Sequence, residues 1–165
     1  MVNIAAHGQS GLDVSDEMKR LASRITFQKV QREGAEEPAL MSDLFDGLAR
    51  SIASELGKNP KDESNKPAQI RRFYDELVGW ESRIGDSKPK FEANEAFFRM
   101  LNAKVAYAFG RGRDEKRQKP GLVDDNFRHW FTKCMNETIA AQPETLKYFR
   151  LHFEAVLGFL RALRP

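Results

Sequence analysis

Apolar residues recur at intervals of three and four along nearly the whole chain, and that spacing admits helices and little else. Ile70, Phe73, Leu77, Trp80 and Ile84 line one face of a single helix. The same spacing returns in Met18, Leu21, Ala22 and Ile25, and again from Leu40 through Leu44, Leu48 and Ile52 to Leu56. It returns in Phe98, Leu101, Val105 and Phe109, in Phe127, Trp130, Phe131, Cys134 and Met135, and in Leu146, Phe149, Phe153, Val156 and Leu160. No run of alternating β-branched residues is long enough for a strand. The expectation is an all-α fold, a compact bundle of about six helices.

Local signals punctuate the pattern. Ser15 is placed to cap the first helix, and Gly34 to Pro38 to break it. The second helix is expected from Leu40 to Leu56, ending at Gly57. A polar linker, Lys58 to Lys66, follows. Pro67 suits the first turn of the third helix, where its missing N–H is no loss, and Gly85 ends it. Pro89 opens a helix running to Gly110, and Gln142-Pro143 separates the last two. The final helix is apolar over a wide arc, so it belongs at the centre or at a subunit contact. Residues 1–13 read as a loose tail without the basic and apolar regions of a signal peptide.

With 165 residues, one domain is expected. The single Cys134 forms no internal disulfide, which points to a reducing compartment such as the cytoplasm. No apolar stretch is long enough to span a membrane, so no membrane partner is expected. Net charge is only +3, but it is uneven. Residues 1–65 hold 8 basic and 11 acidic side chains, whereas residues 66–133 hold 15 and 10. A positive middle third is the footprint of a polyanion-binding surface.

That excess concentrates at one place. Lys104, Tyr107 and Arg111 share a helix face distinct from the apolar stripe, at i, i+3 and i+7. Arg113, Lys116, Arg117 and Lys119 follow at once in a basic loop that Asp114 and Glu115 interrupt. Cations beside an exposed aromatic ring suit a nucleic-acid backbone with splayed bases. The competing reading is a solvated helix face and a charged loop, with Tyr107 half-buried and only its hydroxyl wet.

Three segments in order carry a resemblance. They are Lys66 to Tyr74 (KPAQIRRFY), Leu101 to Arg111 (LNAKVAYAFGR) and Phe149 to Leu157 (FRLHFEAVL). Together they resemble the small subunit family of the type III-A CRISPR–Cas (Csm) effector complex. The resemblance covers roughly residues 66–160. It implies a core over 61–165 preceded by a variable N-terminal helical extension over 1–60. It also implies a non-catalytic RNA-binding subunit, without a cofactor, that stacks in several copies along guide and target RNA. Its partners would be the RNA backbone, other Csm subunits and its own copies, head to tail or as a dimer. Gln69, Arg71 and Arg72 match the family's helix start, and Lys104, Tyr107 and Arg111 its second motif. A subunit that serves any guide must hold phosphates rather than read bases. For Arg71 and Arg72 the alternative is same-helix pairing with Asp75 and Glu76. Glu154 is the family's acidic residue, read here as a member of a structural ion pair, with Arg150 and Arg161 nearby at i−4 and i+7.

Two other functional classes are compatible with a helical bundle. One is a dimeric helical adaptor that binds protein. The other is a small ribonuclease using His129 or His152. Neither histidine has the upstream arginine that helical HEPN ribonucleases share, and the His and Cys spacing has no metal-site pattern.

Overall fold

The computed structural model describes residues 12–58 and 64–163. The expected tail up to residue 11, with His7, and the middle of the expected linker, 59–63, lie outside the described residues. Among those described there are seven helices and three isolated backbone bridges, with no strand. The all-α bundle is as the periodicity predicts. The helices are α1 (Asp16–Ser23), α2 (Gly47–Leu56), α3 (Pro67–Ile84), α4 (Lys88–Phe98), α5 (Leu101–Gly110), α6 (Asp125–Asn136) and α7 (Thr145–Leu163).

Helix α7 is central: α2 and α3 make the most extensive packing against it, and α1 lies on α2 and α6. The core is an aromatic cluster in which Phe73, Phe127, Trp130, Phe131, Phe149 and Phe153 are buried. Most of its rings meet edge-on or tilted, as at Trp130–Phe153 (5.1 Å between centroids) and Phe131–Phe149 (5.5 Å), while Phe127 stacks on Phe131. These arrangements suit the ring quadrupoles.

Long-range contacts move three expected boundaries. Ser15 caps α1 as expected, its Oγ accepting the Met18 N–H at 3.0 Å. The helix nevertheless stops at Ser23, well short of Gly34, because Phe27 leaves the helical path to stack on Phe149 at 5.7 Å. Helix α2 starts at Gly47 rather than Leu40; residues 42–46 form turns, and the Leu44 carbonyl accepts from His152 at 2.7 Å. The single helix expected from Pro89 to Gly110 is two, α4 and α5, broken at Arg99 and Met100. There the Arg99 guanidinium pairs with Glu95 and donates to the Met135 and Thr138 carbonyls at 3.0 and 3.1 Å. Those carbonyls lie at the end of α6, where helical acceptors lack partners.

Candidate nucleic-acid interface

Helices α3 and α5 flank a groove of about 340 Å³. Its floor is apolar, from Phe73, Ala108 and Leu122; Gln69, Arg72, Glu76, Lys104, Tyr107 and Arg111 form its walls. A hollow of about 210 Å³ beyond Arg72 extends it to Lys66. The helical spacing of Lys104, Tyr107 and Arg111 therefore converges with the start of α3 on one surface.

Four cations line this surface against one carboxylate. Glu76 pairs with Lys104 at 2.7 Å across the two helices, not with Arg72 as the same-helix alternative supposed. The pair is solvent-exposed, so it contributes little to stability and exchanges readily for a phosphate. Arg72, Arg111 and Lys66 are exposed and make no ion pair among the described residues. Tyr107 is 67% exposed, so the half-buried alternative for its ring does not hold. Lys66 was missed by sequence reasoning, which assigned it to the linker. Its position just ahead of Pro67, at the α3 N-cap, was the signal available.

The other predicted residues lie elsewhere. Arg71 faces a separate cleft between α3 and α7 and makes a 3.8 Å ion pair with Asp75. Arg113 is a fold residue rather than a free cation. It bonds Asp125 at 3.1 Å and the Leu12 carbonyl at 3.4 Å, and it lies over the Phe109 ring at 4.3 Å. Its side chain is only 14% exposed. Lys116, Arg117 and Lys119 are exposed beyond Arg111, but none lines the groove. Arg117 lies 3.6 Å from Asp114, and Lys116 and Lys119 make no ion pair among the described residues.

The basic loop is a closed hairpin rather than a flexible tract. Asp114 and Lys119 exchange two backbone hydrogen bonds of 2.9 Å, and the Asp114 carboxylate accepts the Arg117 N–H at 3.2 Å. Leu122 ties the return strand to α5, donating to the Ala108 and Arg111 carbonyls at 3.0 and 3.2 Å. Gly121 permits this approach, since a Cβ there would sit 2.1 Å from the Phe109 carbonyl oxygen. We expect Gly121→Ala to destabilise the fold by about 2 kcal/mol, because backbone must move to admit the methyl. Gly79→Ala, with open space around its Cβ, should instead stabilise by about 0.5–1 kcal/mol. Urea midpoints of the two variants check both signs, and equal midpoints would contradict them.

Of the residues with catalytic chemistry, His152 and Cys134 are taken up by the core, whereas His129 is half-buried. His152 is buried, donating from Nδ1 to the Leu44 carbonyl at 2.7 Å and accepting the Trp130 indole N–H at Nε2, 3.0 Å away. Burial lowers its pKa to about 4. Burial pushes the Cys134 thiol well up, away from the reactive thiolate. His129 is shifted down by burial and by the Lys19 ammonium. No group of three His, Cys, Asp or Glu residues among the described ones could hold a metal ion. Arg150 pairs with Glu154 at 3.3 Å and with Glu81 at 3.5 Å, the structural role expected of Glu154. No described helix is long and apolar enough to cross a membrane.

A family model described as Csm2 Type III-A matches residues 45–165. No curated protein and no solved structure matches. The matched stretch spans most of the chain and includes every residue of the α3–α5 groove. The chain therefore belongs to the Csm2 Type III-A family, and is a subunit of the type III-A CRISPR Csm complex.

Proposed function

We propose that this subunit is a non-catalytic RNA-binding component that holds the guide–target RNA backbone in the α3–α5 groove without reading sequence. The observation that carries this reading is the ring of Lys66, Arg72, Lys104 and Arg111 around an apolar floor, with exposed Tyr107 at its edge. Guanidiniums grip phosphate bidentately and ammoniums act as point charges, so neither needs base edges. Lys116, Arg117 and Lys119 extend the positive surface from the hairpin. Several copies side by side on one RNA raise the effective concentration of each contact, so a net charge of +3 is sufficient. A non-catalytic role is supported by the engagement of His152 and Cys134 in the core. We read residues 1–60 as the family-variable part of one integrated domain with 61–165, and the unpaired Cys134 fits a cytoplasmic setting.

The test is fluorescence anisotropy with two unrelated single-stranded RNAs at about 50 mM salt. The expected result is equal affinity for the two within about twofold. Arg72→Ala/Lys104→Ala/Arg111→Ala should bind both roughly 100-fold more weakly, each lost charged contact being worth about 1 kcal/mol. Wild-type affinity in the triple variant, or strong preference for one sequence, would refute the reading.

A further inference from the structure

The segment between α1 and α2 builds an arm that the RNA groove does not use. Val30 and Ala39 exchange two backbone hydrogen bonds, of 2.9 and 3.1 Å, closing a hairpin. Within it Ala35 donates to the Arg32 carbonyl at 3.1 Å, and the Gln31 amide donates to the Ala35 carbonyl at 2.6 Å. The arm is thus ordered by its own bonds, yet every residue from 31 to 39 is exposed. Glu33, Glu36 and Glu37 make no ion pair among the described residues, and Arg32 is the one cation between positions 30 and 39. Val30 is 51% exposed at the base, and Ala35 and Pro38 add small apolar surface. An ordered loop that contributes nothing to the core suits a contact surface.

A cleft of complementary character lies between α3 and α7. It measures about 530 Å³, with Ala68, Tyr74, Leu157 and Gly158 on its walls and Arg71 and Arg161 at its rim. Arg161 makes no ion pair among the described residues, and Arg71 makes only the long 3.8 Å pair with Asp75. Glu154 also lines the cleft, but its charge is met by Arg150 at 3.3 Å. An apolar wall with two available guanidiniums suits carboxylate side chains on a polypeptide that also brings small apolar residues. The Glu154 carboxylate makes the site less suited to a continuous phosphate chain.

Arm and cleft sit at opposite ends of one helix. The Lys29 ammonium lies 6.0 Å from the Tyr148 ring, which places the base of the arm at the first turn of α7. The cleft is formed by Leu157 to Arg161, roughly 14–20 Å further along that helix. Two unlike, complementary surfaces so separated produce a heterologous contact, in which each copy gives its arm to the next. We propose that the Glu33–Glu37 arm of one copy docks in the α3–α7 cleft of another, with its carboxylates on Arg71 and Arg161. This rests on the reading that copies of the subunit associate. It adds a contact made by residues ahead of position 45, outside the family match.

Sedimentation velocity of the full chain over a concentration series tests it. Glu33→Lys/Glu36→Lys/Glu37→Lys and Arg71→Glu/Arg161→Glu should each weaken self-association about tenfold. Mixing these two charge-reversed proteins should restore association, because the lysine arm then meets the glutamate cleft. Both variants should still bind a single-stranded RNA too short to hold two copies, and adding Arg111→Ala should weaken that binding in each. That RNA readout separates this proposal from the groove proposal, since each can fail while the other stands. A wild-type chain that stays monomeric, or reversals that leave association unchanged, would overturn the arm contact. So would a cleft variant that loses RNA binding alone, which would make Arg71 and Arg161 RNA contacts.

Discussion

Replacing Asn65 with alanine is expected to destabilise the protein by about 3–5 kcal/mol, more than any change in the α3–α5 groove. Asn65 is fully buried and joins three parts of the chain. Its Nδ2 donates to the Leu56 carbonyl at the end of α2, at 3.1 Å. Its Oδ1 accepts the Asp124 N–H at 3.0 Å, just where Asp124 caps α6 through the Phe127 N–H. Its own N–H donates to the Leu122 carbonyl at 3.0 Å, holding the return from the basic hairpin. Alanine would leave a buried carbonyl and a buried N–H unpaired, each costing about 1–3 kcal/mol. Backbone geometry adds a separate term. Asn65 sits at φ +56°, a left-handed conformation that asparagine tolerates and alanine resists by about 1 kcal/mol. Asn65→Gly should therefore recover about that much relative to Asn65→Ala while still losing both hydrogen bonds. Urea unfolding of the two variants separates the contributions. An alanine variant within about 1 kcal/mol of wild type would show that the three segments hold together without this side chain.

Acid should unfold the protein for a reason that lies in its core. The folded His152 has a pKa of about 4, against 6.5 for the free side chain, with burial the main cause and its hydrogen bond to the Leu44 carbonyl opposing it. The depressed value means that the unfolded chain binds more protons between these two pH values. The stabilisation is therefore complete above about pH 6.5 and is lost as pH falls from there towards 4. A shift of this size corresponds to about 3 kcal/mol in all. His152→Gln keeps a donor and an acceptor for Leu44 and Trp130 but does not titrate. Between pH 7.5 and pH 4.5, wild type should lose about 2.5 kcal/mol more stability than the glutamine variant. Every other group is common to both proteins and cancels in that comparison. Parallel losses in the two proteins would mean that the unfolding proton goes elsewhere.

Helices α3, α6 and α7 were legible because their signals are local. Pro67 and Gly85 bracket α3, and the apolar spacing of all three is unbroken. The boundaries that moved answer to groups distant in the chain. Nothing near Phe27 announces Phe149, and nothing near Arg99 announces the Met135 and Thr138 carbonyls that hold the break between α4 and α5. Asn65 was hidden for the same reason, inside a stretch that composition marks as linker. Within the groove, Lys104, Tyr107 and Arg111 were readable because one helix fixes their common face. Arg71 and Arg72 are neighbours in sequence but about 100° apart around α3, so they enter different clefts. The helical spacing contains that divergence, whereas the match to a motif conceals it. Arg113 could not be assigned from sequence, since its partners Asp125, Phe109 and Leu12 are brought together only by the fold.

RNA held in the α3–α5 groove through its phosphates, as proposed, must respond to salt. Affinity for a single-stranded RNA should fall as salt rises, with a slope of about −2 to −3 in log K against log salt for three to four phosphate contacts. Arg111→Ala should make that slope shallower by about 0.7, one released counterion fewer. A flat salt response, or a slope that Arg111→Ala leaves unchanged, would contradict the claim and move the RNA contact away from this groove.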